Sequence, residues 1–206
     1  MSRLNHDDAL KKFNSNYNVI DRDILIEVLK DLNITHKDDI YYIKDNKMIR
    51  SSGHNKIVKI IDISDILTKG RLNKLIDDAR LLSYYHYVLN PNGVTFVKNK
   101  DTGVILEIGK YGLDKSFRGN VIYEKLATCN KLSILLAESI YFGSTFRKGK
   151  KDIICHNFIV PVIVLGNRKA FVRMVVKEYK KDPKYNIKFY YHEINYLNNK
   201  KEDTFT

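Results

Sequence analysis

The chain has 206 residues, an apolar fraction of 44% and a formal charge of +12 at pH 7. Those values suit one large domain, or a compact domain with an appendage, and exclude a globally disordered chain. The charge is unevenly placed: 17 Lys+Arg stand against 14 Asp+Glu up to Gly103, net +3, and 19 against 10 after it, net +9. A field of that sign draws polyanions, meaning nucleic acid, acidic protein surfaces or anionic lipid. The competing reading is simple Lys-rich solubility in a chain heavy in Lys, Asn and Ile. Cys129 and Cys155 lie in or beside apolar runs without CxxC spacing, which reads as buried thiols in a reducing compartment. The start Met1-Ser2-Arg3-Leu4-Asn5-His6-Asp7-Asp8 lacks the apolar core of a signal peptide. No uninterrupted apolar run approaches the roughly 20 residues that span a bilayer. The expected location is the cytoplasm, with no membrane contact.

In chain order, residues 5–17 and 21–32 read as short helices, the second capped by Asp21 with Ile24, Leu25, Val28, Leu29 and Leu32 on one face. Ile40 to Ile49 predicts a strand pair around Asp45-Asn46, and Ile57 to Ile63 alternates like a strand. From a cap at Asp62 to Asp65 a helical pattern runs to about Tyr87, interrupted near Gly70, with Leu72, Leu75, Ile76, Ala79 and Leu82 in phase. Asn90-Pro91-Asn92-Gly93 is a strong turn and the best candidate boundary. It divides a mainly helical region of unknown role (1–90) from an α+β domain (91–200). Beyond it, Val94–Val97 and Val104–Ile108 flank Asn99-Lys100-Asp101-Thr102-Gly103 as a hairpin. Gly109 to Gly119 reads as a polar loop. One long helix follows over 120–142, with Ile122, Leu126, Cys129, Leu132, Leu135, Leu136 and Ser139 as its buried stripe. Arg147-Lys148-Gly149-Lys150-Lys151 is a basic loop, Ile153–Leu165 and Lys169–Lys180 form a hairpin turning at Gly166-Asn167, and Lys188–Leu197 is the last strand. Pro161 predicts a bulge or an edge in its strand. The order β-β-α-β-β-β gives an α+β fold, an antiparallel sheet with one long helix packed on it.

Two histidines fall inside predicted strands, His156 and His192. Each taken alone reads as a core residue satisfied by neighbours. Together they fit a general base and acid, one taking the proton of a ribose 2′-hydroxyl and the other protonating the departing 5′-oxygen. A cation would then stabilise the charged phosphate, with Lys110, Lys115, Arg118, Arg147, Lys148 and Arg173 as candidates. Most of these read equally well as solvated surface charge. Arg173, between Val172 and Met174 in a strand, needs a partner or an exposed face. The histidines and cysteines show no metal-ligand spacing, so neither metal nor cofactor is expected. Gly109-Lys110-Tyr111-Gly112 is too short for a nucleotide-binding loop, and Ser116 and Ser144 lack a nucleophile elbow. The 14 tyrosines offer stacking surfaces for bases, although Tyr also favours strands on its own account.

The run from about Val94 to Leu197 resembles the third type of large polyvalent protein-associated domain, found in phage and mobile-element proteins and placed with the barnase, EndoU, colicin and RelE nucleases. The residues that carry the resemblance are Val97-Lys98-Asn99-Lys100-Asp101-Thr102-Gly103, then Gly109-Lys110 with Gly112 and Lys115, and Ala137 to Ser144. With them go His156-Asn157-Phe158, Pro161-Val162, Val172 to Glu178 and Tyr191-His192-Glu193. The resemblance implies a barnase/RelE-like fold and metal-independent endoribonuclease activity, with His156, His192 and Lys115 as catalytic residues. Lys110, Arg118, Arg147, Lys148, Lys150, Lys151 and Arg173 would hold the nucleic acid. Three functions stay open at this point. The first is a ribonuclease-like phage or mobile-element protein in a bacterial host, binding and cleaving RNA. The second is a non-catalytic inhibitor or interaction protein, using its basic face to block a host-defence or toxin nucleoprotein complex, with a host or cognate protein as partner. The third is a DNA-binding accessory of packaging or transfer.

Overall fold

The structure is a computed structural model that describes residues 6–16, 18–30, 41–43, 47–49, 56–64, 72–118, 123–147, 150–181 and 187–196. The first part of the chain supplies α1 (His6–Ser15), β1 (Val19–Asp21), α2 (Arg22–Lys30), β2 (Tyr41–Ile43), β3 (Lys47–Ile49), β4 (Ile57–Lys59), β5 (Ile61–Asp62) and α3 (Leu72–Tyr87). After the turn at Asn90 come β6 (Val94–Lys98), β7 (Ile105–Gly109), α4 (Lys110–Ser116), α5 (Tyr123–Asn130) and α6 (Leu132–Glu138). The chain then continues through β8 (Ile140–Arg147), β9 (Lys150–Val164), β10 (Arg168–Tyr179) and β11 (Ile187–Tyr196). The fold class is α+β.

β9 and β10 form the central hairpin of a seven-stranded sheet ordered β5-β9-β10-β11-β7-β6, with β8 also paired to β9. Both strands read as near-continuous apolar runs because the sheet is buried on both faces along much of their length. Their connection places Gly166 (φ 76°) and Asn167 (φ 57°) in the left-handed region, open to Gly and tolerated by Asn. On the other edge of β9, pairing with β8 starts at Ile159 and pairing with β5 starts at Val162. Pro161, which has no N–H to donate, occupies the gap between those two partners.

Register partners share a face, so the two faces can be read directly. One carries Phe158, Val160, Val162 and Val164 of β9, Val172, Met174 and Val176 of β10, and Leu106 and Ile108 of β7, under α3 to α6. The other face is covered at one end by the N-terminal region. There Ile159, Ile163 and Phe171 meet Ala9, Phe13, Leu25, Val28 and Leu29 of α1 and α2, with Phe13 stacked on Phe171 at 5.0 Å. The Lys169 ammonium reinforces this contact, donating to Asn14 O at 2.8 Å and to the Phe13 and Asn16 carbonyls at the end of α1.

The N-terminal helices, the β2–β3 pair, the Asp21 cap (Asp23 N donates to Asp21 Oδ1 at 2.8 Å) and the 94–108 hairpin stand where the pattern puts them. Three expectations need correction. The sheet is mixed, because β11 runs parallel to β7, and β5 parallel to β9. The stretch from Gly109 to Gly119 is not a polar loop up to Ser116, since α4 occupies 110–116 with Gly112, Leu113 and Ser116 buried. The single helix over 120–142 is two helices and the start of a strand. Its break at Lys131 has a visible cause: the Tyr87 hydroxyl donates to Asn130 O at 3.0 Å and accepts from Ser133 N at 3.3 Å, entering the helical ladder. α6 then stops where buried Asn99 Nδ2 donates to Leu136 O (2.7 Å) and Ser139 O (2.8 Å), so Ile140 to Phe142 are free to start β8. The helical start at Asp65 to Arg71, and Leu32, lie outside the described residues.

Candidate nucleic-acid interface

The covered face of the sheet holds both candidate catalytic histidines. His192 sits opposite Met174, Met174 opposite Phe158, and His156 two residues from Phe158 on β9. β10 therefore separates the rings by two strand spacings, roughly 10 Å or more. Each has its own set of partners, and both are fully buried. His192 Nδ1 lies 3.0 Å from Ser116 Oγ, while Nε2 reaches Thr128 Oγ1 and, at 3.3 Å, Lys125 O. The assignment that satisfies every atom has Nε2–H donating toward Thr128 and Lys125, and the Ser116 hydroxyl donating to Nδ1. Burial, with Lys125 nearby, pushes this imidazole down to about 3, so it is neutral at physiological pH. It ties β11 to α4 and α5. His192→Ala should lower stability by about 1–3 kcal/mol through the unpaired Ser116 and Lys125 groups, checked by urea unfolding.

His156 Nε2 donates to Glu178 at 3.0 Å, in a pair that is almost wholly buried. Burial holds the imidazole below its ordinary value, against the raising effect of the Glu178 carboxylate. Tyr141, whose hydroxyl meets Ser144 Oγ at 2.9 Å, packs its ring 6.2 Å from His156. Lys115 belongs to neither cluster; its ammonium stands 5.8 Å from the centre of the Tyr111 ring. The structure thus does not bring His156, His192 and Lys115 into one concave site.

The opposite face gives a different picture where the cover of α1 and α2 ends. One row crosses the sheet from Phe96 through Glu107, Lys188 and Lys177 to Cys155, all register partners. The next rows carry Tyr191 beside Val175 and Asn157, then Glu193 beside Arg173. Arg173 Nε and Nη2 both donate to Asn157 Oδ1, at 3.0 and 2.8 Å, and Nη1 lies 3.5 Å from Glu193. Arg173 is 31% exposed and finds in Asn157 the polar partner that an arginine between Val172 and Met174 requires.

At the α4 end of that face the aromatics and cations alternate. The Lys115 ammonium stands over Tyr111, Tyr111 meets Tyr190 at 5.8 Å with a 34° tilt, and the Lys177 ammonium lies over Tyr190. Tyr190 also meets Tyr191 edge-on at 5.4 Å. The approach of α4 to β11 depends on Gly112, since a Cβ there would stand 2.3 Å from Phe189 O. Between the two elements lies a cavity of about 60 Å³ lined by Glu107, Gly109, Gly112, Lys177, Lys188 and Tyr190 among others.

The other candidate cations are dispersed. Lys110 turns toward α3, pairing with Asp114 at 3.1 Å and standing over Tyr84. Arg118 is exposed just past α4. Arg147 and Lys150 are register partners that close the β8–β9 hairpin, followed by Lys151. This hairpin tip lies beyond the Ile153–Tyr179 pair, at the same end of the sheet as Lys177 and Tyr190. Lys148 lies outside the described residues. Reading from the sequence missed Tyr111, Tyr190, Lys177, Lys188 and Glu107. The signal for Lys177 was the two-residue alternation on β10 that sets Arg173, Lys177 and Tyr179 against Val172, Met174 and Val176, while Lys188 and Tyr190 depend on the bulge in the β10–β11 pairing.

The family model of large polyvalent protein-associated domain 3 matches residues 77–191, more than half of the chain and all of the elements from α3 to β11 in whole or part. No curated protein matches the chain, and no solved structure does. The chain belongs to the large polyvalent protein-associated domain 3 family.

Proposed function

We propose that this member of the large polyvalent protein-associated domain 3 family binds single-stranded RNA along the α4–β11 edge of the sheet, where Tyr111 is exposed and Lys115 and Tyr190 are partly so. The observation that carries the reading is the run of Lys115, Tyr111 and Tyr190 along the α4–β11 edge, with the buried Lys177 ammonium backing the Tyr190 ring. Exposed aromatic rings on a sheet stack unpaired bases, and interleaved cations neutralise the phosphates between them. A duplex hides the faces of its bases, so the same surface discriminates against it. Arg173 in the middle of β10 and the Arg147 and Lys150 register pair of the β8–β9 hairpin add positive charge along the sheet. As a phage or mobile-element product it would act in the cytoplasm of a bacterial host. No described helix is long and apolar enough to cross a membrane.

The test is binding of a short labelled RNA, single-stranded and as a duplex, across a salt series. Single strands should bind more tightly, with a log–log salt slope of about −0.7 for each phosphate neutralised. Changing Arg147, Lys148, Lys150 and Lys151 together to Gln should flatten that slope while stability barely moves, because exposed charges contribute little. Equal affinity for duplex and single strand would remove the stacking argument. A slope unchanged in the quadruple variant would exclude the hairpin from the interface.

The resemblance to the barnase, EndoU, colicin and RelE nucleases suggests the second reading, cleavage, for which the Glu178–His156 pair would supply the proton-transfer groups. The position of both rings beneath the sheet favours binding without cutting, as in an inhibitor that occupies a host nucleoprotein complex. RNA recovered intact after incubation supports binding alone. Fragments ending in a 2′,3′-cyclic phosphate, formed in EDTA and lost in His156→Ala, would support the nuclease.

A further inference from the structure

The cavity between α4 and β11 has a composition that a phosphate track alone does not need. Glu107 lies in it, half-buried, in register with Lys188, and Lys188 is in register with Lys177. A site for phosphate only would not set a carboxylate beside its two ammonium groups, because the anion and the carboxylate repel. A nucleobase edge presents both kinds of group. Its ring nitrogens and carbonyls accept from ammonium donors, and an exocyclic amine donates to a carboxylate. The walls suit the flat part of the same ligand, with Tyr190 on one side and Tyr111, 59% exposed, leaving the mouth open. The floor is backbone: Gly109 and Gly112 carry no side chain into the space, and Gly112 holds α4 directly against Phe189. The enclosed part, about 60 Å³, accommodates the polar edge of one base while its sugar and phosphate stay outside.

We infer that this cavity is a single-base pocket, in which Glu107 selects bases bearing an exocyclic amine over uracil. The inference rests on the RNA-binding reading above and adds its specificity. Cytosine is the informative case, since it differs from uracil by an N4 amine in place of O4 and by the loss of the N3 proton. Glu107 accepts from that amine, and the half-buried Lys188 beside it donates to the neighbouring acceptors. Uracil would turn a carbonyl oxygen toward the carboxylate instead.

The test compares a labelled oligocytidine with an oligouridine of the same length, both flexible and unpaired, on the full chain. The intact protein should prefer oligocytidine by about tenfold. Glu107→Thr, which keeps strand propensity but cannot reach the base, should bring that ratio close to one, and Glu107→Gln should leave part of it. Reading the ratio separates this role from simple neutralisation, because removing a negative charge raises affinity for both oligomers alike. Melting curves of both variants confirm that each is folded. Equal binding of the two oligomers by the intact protein, or a preference that survives in folded Glu107→Thr, overturns the pocket and leaves the sheet surface as a general binder. Failure to bind either oligomer overturns both readings.

Discussion

Asp101→Ala should cost about 3–5 kcal/mol, among the largest effects of any single substitution in this chain. The carboxylate is 2% exposed and joins three separate elements. It pairs with both terminal nitrogens of Arg22 at the start of α2, the second at 3.1 Å, and it accepts from Tyr141 N at 2.9 Å on β8. Its own place is set by the β6–β7 turn, where Asn99 Oδ1 accepts from Thr102 N at 2.9 Å and Gly103 turns with φ 73°. Removing the carboxylate strands a guanidinium that is itself 12% exposed, together with a backbone donor. Asp101→Asn keeps an acceptor for Tyr141 and should lose less. Arg22→Met in the Asp101→Ala background should recover part of the loss, because no unpaired charge then remains. Urea unfolding reads all three. A cost below about 1 kcal/mol would mean that α2 is not anchored to the hairpin in this way.

Acid should destabilise the fold well above the range where carboxylates titrate. His156 and His192 are both held below their ordinary 6.5, the second at about 3, chiefly because burial penalises the charged ring. The unfolded chain therefore binds more protons than the folded one below about pH 6.5, so stability is full above that value and falls as the pH drops toward the folded values. His192 alone contributes a slope of about 1.4 kcal/mol per pH unit below its unfolded value, roughly 2 kcal/mol by about pH 5, and His156 adds in the same direction. Asp62 and Asp114, both lowered, add to the loss only at more acid pH. His192→Gln should begin less stable and show the shallower slope. Stability that is flat between about pH 7 and 5 would show that both rings titrate in the folded protein as they do in the unfolded chain.

Elements defined by local periodicity were legible in the chain. The α1 and α2 helices, the Asn90 to Gly93 turn and the β9–β10 hairpin follow from spacing, caps and turn residues within a few positions. What escaped depends on contacts distant in sequence. Nothing local to Lys131 announces that the hydroxyl of Tyr87, more than 40 residues upstream, will divide the helix. The glycines and cations of Gly109 to Gly119 suggest a polar loop, whereas Gly112 is there so that a helix can lie against Phe189. The parallel pairing of β7 with β11 joins segments at opposite ends of the domain, beyond the reach of any pattern window. The same limit applies to the site. His156 and His192 drew notice as titratable residues in strands, yet alternation places both on the buried face with Met174 and Val176. On β10 that alternation sets Lys177 on the other side, whereas on β11 Lys188 and Tyr190 share the parity of His192 and only the bulge opposite Val175 and Val176 moves them off its face.

The central claim is where RNA lies on the molecule, and ultraviolet cross-linking followed by peptide mapping tests it most directly. A bound single-stranded RNA should cross-link to peptides containing Tyr111, Tyr190 and Tyr191, the rings clustered along the α4–β11 edge. Tyr111→Ala with Tyr190→Ala should remove most of that signal and weaken binding, since each stacked base contributes about 1–3 kcal/mol. Cross-links confined to α3, to α5 and α6, or to the helices of the N-terminal region, with the double variant binding as tightly as the intact protein, would contradict it.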